Sequence, residues 1–123
     1  MSLSILFVDD DYFTFQIVEE YTDGKRDWKY KYISCAETLL STINISEYDI
    51  IITEWHMPGI NGIQLCDIIK KELKLDIPII LLSAYGSEKY INEGLEHADV
   101  YLVKPVRLGM IIQTIDSFNK EHV

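Results

Sequence analysis

Tyr48-Asp49-Ile50-Ile51-Ile52-Thr53-Glu54-Trp55-His56-Met57-Pro58-Gly59 is the stretch on which the fold turns. The run Ile50 to Thr53 is continuously apolar in character, without the alternation of a half-buried strand. Such a run marks a strand covered on both faces, as in a parallel sheet sandwiched by helices. A carboxylate, Glu54, follows at once, and Pro58-Gly59 turns the chain away. The same arrangement recurs on either side. Asp9-Asp10 follows Ser4-Ile5-Leu6-Phe7-Val8, Ser83-Ala84 follows Ile79-Ile80-Leu81-Leu82, and Lys104-Pro105 follows Val100-Tyr101-Leu102-Val103. Each apolar segment ends in a residue with chemistry to offer.

Between these segments the apolar residues take up the period of a helix. Phe13, Ile17, Val18 and Tyr21 share one helical face, as do Leu65, Ile68, Ile69 and Leu73, and then Leu108, Ile111, Ile112, Ile115 and Phe118. Strands are expected at Ile5–Val8, Tyr30–Ser34, Ile50–Thr53, Ile79–Leu82 and Val100–Val103. Alternating strands and helices favour parallel βαβ units with right-handed crossovers, giving a doubly wound, open five-stranded α/β domain. Asp23-Gly24 ends the first helix, Pro58-Gly59 and Asn61-Gly62 shape the third loop, Pro78 precedes the fourth strand and Pro105 ends the fifth. The segment Lys25-Arg26-Asp27-Trp28-Lys29-Tyr30-Lys31-Tyr32 alternates lysines with aromatics. It reads as an edge strand whose outward lysines block edge-to-edge pairing, rather than as a nucleic-acid surface.

Composition narrows the classes. With 123 residues, 48% of them hydrophobic and 25% charged, the chain suits one globular domain and no second. A net charge of −9 argues against non-specific binding to nucleic acid or to an acidic membrane, and leaves room for a basic protein partner. No apolar run approaches the roughly 20 residues needed to span a bilayer, and no secretory leader opens the chain. Met1-Ser2-Leu3 leaves open a partial expression scar. Cys35 and Cys66 have neither CxxC spacing nor histidine neighbours, as expected of reduced thiols in a cytoplasmic protein.

Loops at the carboxyl ends of parallel strands converge on one rim, and ligands bind there. That topology brings together Asp9, Asp10, Glu54, Ser83 and Lys104. Clustered carboxylates repel unless a cation and an ammonium compensate, and hard oxygen donors suit Mg²⁺ or Mn²⁺. The Ser83 hydroxyl and Lys104 could bind phosphoryl oxygens. Plainer readings stand beside these. Asp11 reads as a cap of the first helix. Tyr101 reads equally as a half-buried aromatic, His56 as a loop histidine whose imidazole has no direct role, and Trp55 as an exposed or half-exposed surface aromatic available to a partner.

In this order the landmarks resemble the receiver domain of two-component response regulators. The resemblance covers roughly residues 4 to 120 of a single domain, 1–123. It implies the flavodoxin-like strand order 2-1-3-4-5. It also implies Mg²⁺ held directly by Asp10, through water by Asp9, and by the backbone carbonyl of His56. Ser83 becomes the residue that contacts the phosphoryl group, Tyr101 the aromatic that follows it as a switch, and Lys104 the lysine of the K-P pair, with Pro105 after a cis peptide. The phosphoacceptor is an Asp four residues before the Pro of a D-x-x-M-P-G loop; here that position is Glu54.

Glutamate displaces the carboxylate by one carbon–carbon bond, ~1.5 Å, where small displacements cost heavily in rate. Three readings follow. The first is a non-enzymatic signalling module of a phosphorelay, a pseudo-receiver with altered or absent phosphorylation. It would act through conformation-dependent contact with a histidine kinase or a downstream regulatory protein, and could dimerise through the face of helix 4, strand 5 and helix 5. The second is a conventional phosphoacceptor receiver. The third is a phosphatase of the haloacid-dehalogenase type using Asp9 and Asp11 as a D-x-D motif; no acidic pair in the final loop and no cap domain speak for it. The chain is either a single-domain protein or a part of a larger regulator.

Overall fold

A computed structural model describes residues 2–119; the outermost residues of the expected domain, Met1 and 120–123, lie outside the described residues. Five strands, β1 (Leu3–Val8), β2 (Trp28–Ile33), β3 (Ile50–Glu54), β4 (Ile79–Ser83) and β5 (Val100–Val103), form one sheet in the order β2-β1-β3-β4-β5. Every neighbouring pair is parallel, with Ile5 opposite Ile50 and Ile51 opposite Ile79. The crossovers are α1 (Tyr12–Thr22), α2 (Ala36–Thr42), α3 (Gly62–Asp67) and α4 (Glu88–Leu95); α5 (Leu108–Phe118) closes the domain. This is the flavodoxin-like order expected from the sequence.

Side chains alternate across a strand, so the continuous apolar runs feed two cores at once. Leu6, Val8, Ile51, Ile79 and Leu81 pack with Leu39 of α2 and with Leu65, Cys66 and Ile69. Ile5, Phe7, Ile50, Ile52, Ile80 and Leu82 pack with Phe15 and Val18 of α1 and with Ile111 and Ile115 of α5. Burying each such side chain is worth about 1.5–3 kcal/mol. At the edge, Trp28, Tyr30 and Tyr32 of β2 lean on the second core while Lys29 and Lys31 stay exposed, as the alternation predicts.

Four expectations need correction. β2 runs from Trp28 to Ile33 rather than from Tyr30 to Ser34. Phe13 is 64% exposed; α1 starts at Tyr12, capped by Asp11, and its face toward the sheet carries Phe15, Val18 and Thr22. Leu73 is 47% exposed. After Asp67 the third helix widens into a π-helical turn, Ile68–Glu72, with Leu73 N–H bonding back to Ile68 at 2.8 Å. The 3.6-residue period on which the inward placement of Leu73 rested fails there. Finally, Trp55 is not a surface aromatic. It is 5% exposed, wedged edge-to-face against Tyr90 of α4 and Tyr101 of β5.

Candidate functional site

The carboxyl ends of β1, β3, β4 and β5 open onto one rim. Asp9 is fully buried directly after β1, and its N–H bonds to Ile33 O at 3.2 Å. Its Oδ1 accepts the Asp11 amide at 2.9 Å and its Oδ2 accepts Lys104 Nζ at 3.0 Å. Tyr32 Oη donates to the Asp9 carbonyl at 2.5 Å. Asp10 points its carboxylate outward and, among the described residues, makes no hydrogen bond or ion pair. Asp11 caps α1, accepting from the Phe13 amide at 3.0 Å and from Thr14 Oγ1 at 3.3 Å. Both carboxylates of the D-x-D reading, Asp9 and Asp11, are thus engaged within the fold.

Glu54, at the end of β3, is 8% exposed. Its Oε1 accepts from Lys104 Nζ at 3.0 Å, and its Oε2 accepts from the Trp55 amide at 2.7 Å. That amide also reaches Leu82 O across the sheet at 2.8 Å. Two features seat this turn. The close approach of α3 requires Gly62, because a Cβ there would lie 2.3 Å from Glu54 O and 2.8 Å from Trp55 Cα. Asn61 and Gln64 form a capping box, which satisfies two orphan amides at the head of α3. Farther along the loop, Glu37 of α2 accepts from the Ile60 amide at 2.9 Å.

Lys104 therefore bridges Asp9 and Glu54. Burial works against its charge, but the hydrogen bonds and charges of the two carboxylates outweigh it and hold its pKa above the ordinary lysine value. For Asp9 the balance runs the other way. Burial raises its carboxyl above the usual range by more than the Asp11 amide and Lys104 lower it. Two carboxylates thus share one ammonium, which stays charged through the neutral range. The Lys104–Pro105 peptide is cis, as the resemblance implied.

Ser83 is fully buried; its Oγ accepts from the Tyr85 amide at 3.1 Å and its carbonyl accepts from the Lys104 amide at 2.8 Å. Tyr101 is half-buried and donates its hydroxyl to Tyr85 O at 2.6 Å. The His56 imidazole is exposed, stacked on Trp55 at 4.8 Å and met edge-on by Tyr85 at 4.4 Å. The fold thus joins Asp9, Glu54 and Lys104 directly and ties Ser83 to Lys104 through the backbone, whereas Asp10 and the His56 ring stay outside that network. Among the described residues, no group of three or more His, Cys, Asp or Glu side chains is set to hold a metal.

Sequence reasoning missed Tyr32, Tyr85 and Tyr90. For Tyr32 the signal was present in the alternation of β2, where it falls on the buried side one residue before the strand meets the Asp9 loop.

Residues 5–116 match the response regulator receiver domain family. The two-component response regulator ARR2 of Arabidopsis thaliana is 35% identical over 112 residues, covering 87% of this chain and 16% of its own. ARR10 of the same plant is 31% identical over 111 residues, covering 88% of this chain and 20% of its own. The chain thus spans a fifth or less of these relatives' length. Among solved structures, the receiver domain of the Francisella response regulator 1452 superposes with a TM-score of 0.83 at 27% identity, covering 98% of this chain and 99% of that one. The chain belongs to the response regulator receiver domain family and is a signal-transduction module of the two-component type. No helix among the described residues is long and apolar enough to cross a membrane.

Proposed function

We propose that this receiver domain signals without ordinary aspartyl phosphorylation, because Glu54 stands at the acceptor position and is held by Lys104. One observation carries the reading: neither Glu54 oxygen is free. Oε1 is bound to Lys104 at 3.0 Å and Oε2 to the Trp55 amide at 2.7 Å. A carboxylate engaged at both oxygens is poorly placed for in-line attack on a phosphoryl donor. It contacts the lysine that a phosphoryl group would otherwise engage, with one negative charge where a phosphoryl group brings nearer two. Ser83 and Tyr101 serve as the residues through which the state of this rim reaches β5. Such a bias works only through a difference in how Glu54 contacts two conformers.

The donor chemistry of the rim fits Mg²⁺, a hard cation served by oxygen ligands. Asp10, whose carboxylate is free, would hold it together with the His56 carbonyl and, through water, Asp9, compensating the excess negative charge. The module acts by protein–protein contact in the cytoplasm, with a histidine kinase or a downstream regulatory protein, and binds no nucleic acid itself. The surface of α4, β5 and α5, where Leu95, Val103 and Met110 are exposed, supports that contact and a homodimer through the same face. The domain is read as the whole of 1–123, with Asp9, Asp10, Glu54, Ser83, Tyr101 and Lys104 as its working residues.

The test is incubation with acetyl phosphate and Mg²⁺ followed by intact-mass measurement. The expected result is no stable adduct on the natural chain and an adduct on Glu54→Asp. A stable phosphoryl adduct on the natural chain would overturn the reading in favour of a conventional phosphoacceptor.

A further inference from the structure

We infer that Tyr32 is a positioning residue: it fixes the peptide between Asp9 and Asp10 and so sets the direction in which Asp10 offers its carboxylate to a divalent cation. The inference rests on the reading of Asp10 as a metal ligand. Every polar group of Asp9 is engaged. Its amide bonds to Ile33 O, its two carboxylate oxygens to the Asp11 amide and Lys104, and its carbonyl to Tyr32 Oη at 2.5 Å. The carbonyl of Asp9 shares a rigid peptide plane with the nitrogen of Asp10. Holding that oxygen therefore fixes where the Asp10 Cα departs, although Asp10 itself has no side-chain partner among the described residues.

Tyr32 is well placed for this role. Its ring stacks on Phe15 at 5.0 Å and meets Tyr12 edge-on at 5.1 Å, so the hydroxyl is aimed by packing rather than by a mobile chain. The anchor comes from β2, the edge strand whose aromatics lean on the second core. Supporting groups one step removed from a metal commonly tune its affinity in this way.

Tyr32→Phe deletes only the hydroxyl. Losing one such hydrogen bond should weaken Mg²⁺ binding about three- to tenfold by calorimetric titration. Tyr12→Phe, one ring away and with no hydrogen bond on its hydroxyl among the described residues, should bind as the natural chain does, and Asp10→Asn should not bind. An unchanged affinity for Tyr32→Phe would overturn the inference. If the natural chain takes up no Mg²⁺, the metal reading fails by itself, and the positioning role is then judged in metal-free protein by exchange of the Asp11 amide. Faster exchange in Tyr32→Phe supports the role, and an equal rate refutes it.

Discussion

Lys104 carries a heavy electrostatic duty, because among the described residues it is the cation paired with both a fully buried Asp9 and a nearly buried Glu54. Removing one partner of a buried ion pair leaves its counterion uncompensated. Since Lys104 keeps 19% of its side chain exposed, the loss for Lys104→Met is expected at about 2–4 kcal/mol in urea unfolding, somewhat below the range of about 3–5 kcal/mol for fully buried pairs. The pH dependence has a definite sign. Asp9 already has a raised pKa in the fold, so the native state holds its proton more tightly than the unfolded chain. Its ionisation removes stability as pH rises through the folded value, and acidification returns it. Without Lys104 that elevation grows. The deficit of Lys104→Met should therefore shrink as pH falls toward the ordinary carboxyl range, and a deficit independent of pH would refute the assignment.

At the level of elements, α3 is the piece that seats Glu54. The Gly62 amide bonds to Trp55 O at 2.7 Å, and a Cβ on Gly62 would drive into backbone on the β3 side. Alanine gains about 1 kcal/mol of helix propensity over glycine, but here the clash dominates. Gly62→Ala should lose about 1–3 kcal/mol, the usual cost of overpacking. Gly109→Ala on α5 is the control. The nearest atom to its added Cβ is Tyr21 Oη at 3.9 Å, so propensity should prevail and stability rise by up to about 1 kcal/mol. Thermal melts of both variants decide the matter; equal effects would mean that contact, not propensity, has been misjudged. Elements also show where pattern reading failed. Phe13 and Leu73 obey a helical period on paper, but the cap at Asp11 fixes the phase of α1 and the π-turn after Asp67 changes the phase of α3.

Across the whole molecule, much was legible because the strands are short apolar runs ended by polar residues, and parallel topology alone brings those ends to one rim. What was not legible depends on side-chain reach between distant positions. Lys104 touches partners 95 and 50 residues away, and Trp55 is enclosed by Tyr90 and Tyr101, both distant in the chain, in addition to its neighbour His56. The alkaline limb of stability also belongs to this scale. Burial pushes the Tyr30 phenol up to about 12 from its ordinary 10. Between those values the unfolded chain ionises first, so stability should fall as pH rises from about 10 toward 12. Tyr30→Phe should flatten that slope in chemical unfolding; an unaltered slope would assign it to other groups. The π-turn at Ile68–Glu72 has a separate consequence, for chain length. It accommodates a surplus residue within a helix whose start and following strand are both anchored. Deleting Glu72 would let the ordinary spiral run on and swing Leu73 by about 100°. A one-residue shortening at this turn is therefore expected to change the helix surface while leaving the strand pairings of the sheet in place.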